Sequence, residues 1–304
     1  MNPTFQKTLC FNNIIPDTVN RAISHRFDAS GKGVNVARVL SQLGKKALHL
    51  TQLGGALRSL FLELCKKDDL DVHWVESGSE IRFAYTIIDS PTVTELVEEG
   101  DPVDPGTEER IFVAYKGILE GNREKAPGTV IISGKNAKGF SDALIPSMVR
   151  LAREQDKRII LDIRGNDLQQ SLSFQPDIIK PNLYEFIETF MKDYDSPKEI
   201  TGDEPGVKEN VAALALELAA KHKTTIVLTR GELSVWYTDG KVFSEVPVKA
   251  NEPINSTGSG DAFTAGLAAA LHDGLLLPEA IAQGIYNGSI NANLLKPGAI
   301  FADI

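Results

Sequence analysis

Short β-branched runs alternate with longer helical patterns along most of this chain, and that alternation constrains its fold more than any other feature. TVIIS at Thr129–Ser133, RIILD at Arg158–Asp162 and TIVLT at residues 225–229 each have the length of one strand and lie between stretches of helical spacing. That is how successive βαβ units read, and it predicts an α/β fold with a mainly parallel central sheet covered by helices on both faces. One region breaks the rhythm. From Asp71 to about Val103 the segments DVHWV, IRFAYTIID and TVTELV follow one another with turns at ESGSE and SP and no helix between them. They predict a small inserted sheet of antiparallel strands, a lid over the carboxyl edge where open α/β sheets bind ligands. Residues 1–304 are expected to form one α/β domain carrying this lid.

Composition narrows the class. With 304 residues, 42% of them hydrophobic and 24% charged, the chain has an ordinary globular balance and little reason to be disordered. Lys and Arg total 32 against 41 Asp and Glu, and no basic block occurs, so a nucleic-acid partner is not expected. The start MNPTFQKTLCFNN has no basic region followed by a long apolar core. No apolar run approaches the roughly 20 residues of a membrane span, so a cytoplasmic protein without membrane association is expected. Cys10 and Cys65, one in an expected strand and one in an expected helix, form neither a disulfide framework nor a zinc site. His25, His49, His73, His222 and His272 are scattered without metal-ligand spacing.

The stretch NSTGSGDAFTAGLAAAL, Asn255 to Leu271, carries the most chemistry. A helix is expected from Asp261 to Leu271 with a stop at Gly274, and its small residues Ala262, Ala265, Gly266, Ala269 and Ala270 would let it approach a sheet closely. A glycine-rich turn leading into a helix start offers unpaired N–H groups and a positive dipole end to an anion. Gly258 and Gly260 bring no side chain to obstruct it. The same residues also read as a plain loop in which Thr257 or Ser259 caps the helix. Two familiar phosphate loops fail: SGKG at Ser30 to Gly33 lacks the upstream glycine and following hydroxyl of a P-loop, and neither glycine pair has the third glycine of a dinucleotide fingerprint.

Four motifs in order give the context: ASGKGVNVARVLSQLG at Ala29 to Gly44, KPNLYE at Lys180 to Glu185, TRGE from Thr229, and STGSGDAF near the end. Together they closely resemble the ribokinase-like (PfkB) carbohydrate kinases over essentially the whole chain. The resemblance implies an ATP-dependent transferase in which Asp261 is the catalytic base and Gly258, Ser259 and Gly260 form the anion hole. It implies further that Asn182 and Glu185 organise Mg²⁺ through water, with Lys180 close to the nucleotide phosphates. From their residues alone, Asn182 and Glu185 also read as a capping box. Thr229 and Gly231 are expected beside the nucleotide, although Ser234 stands where family members often have a second glycine. Asn287, in PEAIAQGIYNGSINANLL, is expected near the nucleotide as well.

The N-terminal half bears on the acceptor. FNNIIPD resembles the family's Asn-Pro-x-x-Asp segment, with Ile14 in place of the proline, and the resemblance implies that Asp17 binds sugar hydroxyls. Gly31, Lys32, Gly33 and Asn35 would bring backbone and an amide to the sugar, with Ser30 replacing the usual leading glycine. Arg82 matches a phosphate-binding arginine of the phosphofructokinase and tagatose-6-phosphate kinase branch, and a guanidinium fork suits phosphate. TVTELVEEGDPV also resembles that branch, so a phosphorylated hexose is the expected acceptor. SGKNAKG departs from the branch's Ser-Gly-Ser-Leu-Pro-Pro-Gly and places Lys135 on a loop, where it reads either as an additional cation for the phosphosugar or nucleotide or as a solvated loop lysine. An unphosphorylated sugar or nucleoside as acceptor, or a non-catalytic sensor on the same scaffold, are the alternatives. Trp74, Phe83 and Tyr85 on the lid could close over the site or pair two copies as a homodimer.

Overall fold

The computed structural model describes residues 1–89, 92–121, 126–192, 194, 200–249 and 252–302, so the turn expected at Ser90 and Pro91 lies outside the described residues. In chain order the first elements are β1 (Thr4–Phe11), β2 (Ser24–Ser30), α1 (Lys32–Gln42), β3 (Leu48–Leu53), α2 (Arg58–Lys67), β4 (Asp71–Glu76), β5 (Arg82–Asp89) and β6 (Thr92–Val97). Then come α3 (Thr107–Glu120), β7 (Thr129–Ser133), α4 (Leu144–Glu154), β8 (Arg158–Asp162), α5 (Gly165–Ser171), β9 (Ile178–Ile179), α6 (Leu183–Phe190) and α7 (Val207–His222). The last are β10 (Thr225–Arg230), β11 (Leu233–Thr238), β12 (Phe243–Val246), α8 (Ser259–His272) and α9 (Leu277–Ala292). They divide into two compact units, one of Met1–Thr107, Asn136–Phe140 and Glu252–Ile304, the other of Glu108–Lys135 and Ser141–Asn251.

The second unit is built on a six-stranded sheet ordered β12-β11-β10-β9-β8-β7. β7 to β10 run parallel, as the alternation predicts. Ile159, Ile160 and Leu161 are all fully buried although neighbouring strand residues point to opposite faces, so this sheet is covered on both. α4 packs on β8, and α6 and α7 on β10. One edge departs from the expectation: β10, β11 and β12 form an antiparallel meander. The TRGE segment is therefore a strand-to-strand turn, in which Gly231 takes the positive φ of 62°.

The first unit holds a four-stranded sheet ordered β2-β1-β5-β6 and a separate β3-β4 pair. β5 and β6 are antiparallel, with Ala84 opposite Val97. The expected inserted sheet is otherwise corrected in two ways. Its other two strands come from the N-terminus, since β1 pairs in parallel with β5 and antiparallel with β2. The DVHWV segment belongs elsewhere, because β4 pairs in parallel with β3, with α2 as the crossover that parallel strands require.

Aromatic burial accounts for the partner choice. Phe5 on β1 is fully buried and stacks on Phe27 of β2 at 5.1 Å and on Phe83 of β5 at 5.3 Å, with Phe61 of α2 edge-on at 5.5 Å. Phe83 and Trp74 thus pack, partly buried, against this core. Arg58 covers the Trp74 ring at 4.8 Å. α8 is buried from Asp261 to Ala270, and its small residues meet helices α9 and α1 rather than the expected sheet. Gly266 is where this approach is tightest, since a Cβ there would lie 2.3 Å from the Asn287 amide nitrogen. Among the described residues no helix is long and apolar enough to cross a membrane.

Phe5→Ala removes the ring on which three others pack, and is expected to cost about 3–5 kcal/mol in urea denaturation. A loss below about 1 kcal/mol would show that the cluster does not organise this sheet.

Candidate active site

α8 begins at Ser259, which makes Asp261 its third residue. Neither hydroxyl expected as a cap serves as one. Thr257 donates to Oε1 of Glu95 on β6 at 2.6 Å, and Ser259 donates to Oδ1 of Asn291 on α9 at 3.3 Å. The N-cap is Gly258, at φ 84°, with no side-chain hydrogen bond to the first turn. A Cβ on Gly258 would lie 2.4 Å from the Gly298 nitrogen, so the glycine is demanded by backbone packing as well as by conformation. An uncapped, positively polarised helix start followed by a carboxylate is the result.

Asp261 is 5% exposed, and its Oδ2 accepts a hydrogen bond of 2.8 Å from Nδ2 of Asn35 on α1. Two residues expected to work on one substrate, 226 positions apart, are therefore in direct contact. The Asn35 carbonyl oxygen accepts from Ser30 Oγ at 2.9 Å and from Arg38 Nη1 at 3.0 Å. Arg38, which the sequence reading did not single out, is 1% exposed. A long cationic side chain on the apolar face of α1 was the available clue, because a buried charge demands partners.

The remaining residues expected at the acceptor have varied settings in the first unit. Gly31 is the N-cap of α1 at φ 111°, and a Cβ there would come within 3.1 Å of the Asn2 carbonyl. Lys32 begins the helix and is exposed. At Gly33 a Cβ would meet the His49 ring of β3 at 2.7 Å. Asp17 occupies an exposed turn between β1 and β2 with φ 58°, and that turn is tied to β5 where the Ile14 N–H donates to Asp89 at 3.1 Å. Arg82 opens β5 half-buried. Its Nη1 donates to the Glu98 carbonyl at 3.1 Å, while its buried Nε meets no acceptor among the described residues. Desolvation lowers the Arg82 pKa, opposed by the nearby Glu99 carboxylate. Asn287 is 3% exposed, donates back to the Gln283 carbonyl at 2.9 Å and packs against Gly266 of α8.

The second unit gathers its candidates along one edge of the sheet. Ser133 ends β7, Asp162 ends β8, Lys180 follows β9 and Thr229 lies near the end of β10. These are carboxyl ends of parallel strands, the edge at which such sheets bind ligands. Lys180 Nζ lies 3.2 Å from Asp162 Oδ1 with both side chains buried, and Ser133 Oγ donates to Asp162 Oδ2 at 3.1 Å. Asp162 and Ser133 were not singled out, although each closes a β-branched run. Thr229 bridges to Asn182, and its N–H donates to the Pro181 carbonyl at 3.3 Å. Asn182 and Glu185 form the reciprocal capping box, Glu185 N donating to Asn182 Oδ1 at 2.7 Å and Asn182 N to Glu185 Oε2 at 3.0 Å. Ser234, at the family's glycine position, accepts from Arg230 Nη2 at 2.5 Å while that guanidinium stacks on Trp236 at 3.9 Å. Lys135 is exposed after β7.

Among the described residues no group of three or more His, Cys, Asp or Glu is placed to hold a metal ion. Glu185 as a single carboxylate fits a hard cation that keeps its waters and is carried by phosphates, not one held in an all-protein cage.

Residues 7–302 match the pfkB family carbohydrate kinases, and the chain belongs to that family. It is 28% identical over 293 residues to tagatose-6-phosphate kinase of Staphylococcus epidermidis, covering 94% of this chain and 90% of that one. Phosphofructokinase-2 of Escherichia coli, solved with substrates and products, superposes with a TM-score of 0.82 at 20% identity, covering 96% and 91% of the two chains. Ribokinase of Thermotoga maritima does so with a TM-score of 0.70 at 16% identity, covering 98% and 92%. At these identities the two structures establish the fold, which is ribokinase-like.

The ring lodged against Gly33 gives a pH test. Burial, with help from the positive charges of the amino terminus and then Arg38, pushes the His49 pKa from 6.5 down to about 3. The unfolded chain therefore binds a proton below about 6.5 that the folded chain refuses until about 3. Stability is full above that window and falls as pH drops through it, by up to about 1.4 kcal/mol per unit. His49→Gln should flatten this slope in urea denaturation between pH 6 and 4, and an unchanged slope would mean that the folded protein protonates His49 readily.

Proposed function

We propose that this carbohydrate kinase transfers the terminal phosphoryl group of ATP to a hydroxyl of a phosphorylated ketohexose. The observation that carries the reaction is Asp261, buried at the start of an uncapped helix and oriented by Asn35. A sugar hydroxyl is a poor nucleophile at neutral pH. A carboxylate within hydrogen-bond reach accepts its proton as the oxygen–phosphorus bond forms. Gly258, Ser259 and Gly260 would turn the positive end of α8 toward negative charge developing on the phosphoryl oxygens, with the Ser259 N–H already donating to the Ser256 carbonyl at 3.1 Å. The amide of Asn35 donates to the carboxylate and so fixes the direction in which it faces. Gly31, Lys32 and Asp17 complete the acceptor side in this reading.

Arg82 supports a phosphorylated acceptor. Its buried Nε, without a partner among the described residues, is a charged donor already stripped of water, and a phosphate is the natural acceptor for it. Lys135 would add a second cation. On the nucleotide side the proposed residues are Lys180, Thr229, Gly231 and Asn287, of which Lys180 acts through its ion pair with Asp162. Bound Mg²⁺ would neutralise the triphosphate and bridge its oxygens, and Glu185 with Asn182 would hold it through water. A cytoplasmic location suits a substrate pair of this kind. β6 exposes Val93, Leu96 and Val97, which supports a homodimer through the lid, to be checked by gel filtration.

Two measurements test the reading. Asp261→Asn should lower turnover roughly 10²- to 10⁴-fold with a preserved thermal transition, and near-normal turnover would refute the base. In an ADP-release assay with MgATP, activity is expected with fructose 1-phosphate, fructose 6-phosphate or tagatose 6-phosphate and not with ribose or adenosine. With the active phosphosugar, Arg82→Ala should raise KM roughly ten- to a hundredfold and leave the KM for ATP unchanged. Turnover confined to ribose or adenosine would move the enzyme to the unphosphorylated-acceptor class, and binding of ATP without any turnover would favour a sensor.

A further inference from the structure

The contact between Asn35 and Asp261 raises a question of orientation. The two ends of an asparagine amide are alike in size and opposite in electrostatic sense. With the nitrogen toward a carboxylate the contact is a hydrogen bond; with the oxygen toward it, two acceptors repel each other. What sets the end that faces Asp261 is the company kept by Asn35 Oδ1, which accepts from Ser30 Oγ at 2.9 Å and Arg38 Nη1 at 3.0 Å. The serine hydroxyl cannot decide the matter, because it rotates to donate or accept as its neighbour requires. The guanidinium can, because it has donors only.

We propose that Arg38 is a positioning residue for catalysis, acting through Asn35 to hold Asp261 in its proton-accepting orientation. The proposal rests on the reading of Asp261 as the base. Arg38 is suited to the task because its own direction is over-determined. Besides Asn35, it donates to the Pro297 carbonyl at 2.9 Å and to the Ala29 carbonyl, and its Nε pairs with Asp68 Oδ2 at 2.8 Å. Asp68 is shared with Lys296 at 2.5 Å, and Lys296 lies 3.8 Å from Asp28, itself paired with Arg26 at 2.8 Å. Alternating charges let two buried cations persist without an uncompensated charge.

The same network sets a spacing. A Cβ on Gly298 would come within 2.2 Å of the Asn35 Cβ, and one on Gly258 within 2.4 Å of the Gly298 nitrogen. The Pro297 and Gly298 backbone is thus wedged between α1 and the start of α8, and the bond from Arg38 to the Pro297 carbonyl pins it there. On its other side Asn291 holds the loop by donating to the Lys296 and Ala299 carbonyls at 3.1 and 2.9 Å. Arg38 therefore controls both the end of the amide that Asp261 meets and the gap across which they meet.

A double-mutant cycle on turnover separates this role from a merely structural one. Arg38→Lys keeps the charge facing Asp68 but cannot serve four acceptors at once. In the wild-type background it should lower kcat roughly tenfold or more, with the KM for ATP within about twofold of normal. In an Asn35→Ala background the same substitution should change kcat by less than about twofold, because the path through Asn35 is already cut. Thermal denaturation of each variant accompanies the assay. If Arg38→Lys loses its cooperative transition, Arg38→Met combined with Asp68→Asn removes both partners together and takes its place in the cycle. Equal losses in the two backgrounds, from an active wild-type enzyme, would overturn the proposal alone. A wild-type protein inactive on every acceptor would remove the kinase reading and this proposal with it.

Discussion

The chemistry assigned to the first unit depends on one hydrogen bond, from the Asn35 amide to the Asp261 carboxylate, which ties the first helix of the chain to its penultimate one. Both partners are almost fully buried, so neither could tolerate being unpaired. The small residues of α8 allow its close approach to α1 and α9, and glycines at 258 and 298 allow the intervening loop to fit between them. A carboxylate that must accept a proton benefits from such rigidity, since its reach to a substrate hydroxyl is only a few tenths of an ångström wide.

The second unit organises its polar groups by a different physical route. The interiors of its parallel strands are apolar, so polar side chains are admitted where the strands end. Ser133, Asp162, Lys180 and Thr229 occupy those ends in successive strands, and the capping box of Asn182 and Glu185 starts α6 directly beyond them. The buried pair of Lys180 and Asp162 needs its neighbours, because removing one member would leave an uncompensated charge. Lys180 is thereby held in place by the protein itself, and in the proposed reaction it would act on the nucleotide from within that pair.

Much of this was legible in the chain, and the failures share a cause. The TVIIS, RIILD and TIVLT runs became β7, β8 and β10, and the glycine-rich turn became the start of α8, because local composition suffices for both. The capping box was legible because its two partners are three residues apart. The partner of β4 was misassigned because alternation marks a strand without naming its neighbour, and here the crossover helix α2 decided it. That the His49 ring of β3 lies where a Cβ on Gly33 would stand, and that Asn287 is buried against Gly266, was likewise not legible. Each of those neighbours is distant in sequence, and no pattern within a single segment could have named it.

By itself, then, the sequence determined the class of fold, the succession of strands and helices, and the residue types able to bind phosphate and to move a proton. These follow from periodicity, from glycine's conformational freedom and from short-range capping, all of which act within a few residues. Only the tertiary structure decided that Asn35 meets Asp261, that Arg38 holds the amide between them, that Lys180 is neutralised by Asp162, and that the aromatic cluster joins β1 to β5. The physical reason is that burial makes these partnerships obligatory, and burial is a property of the packed chain rather than of any segment.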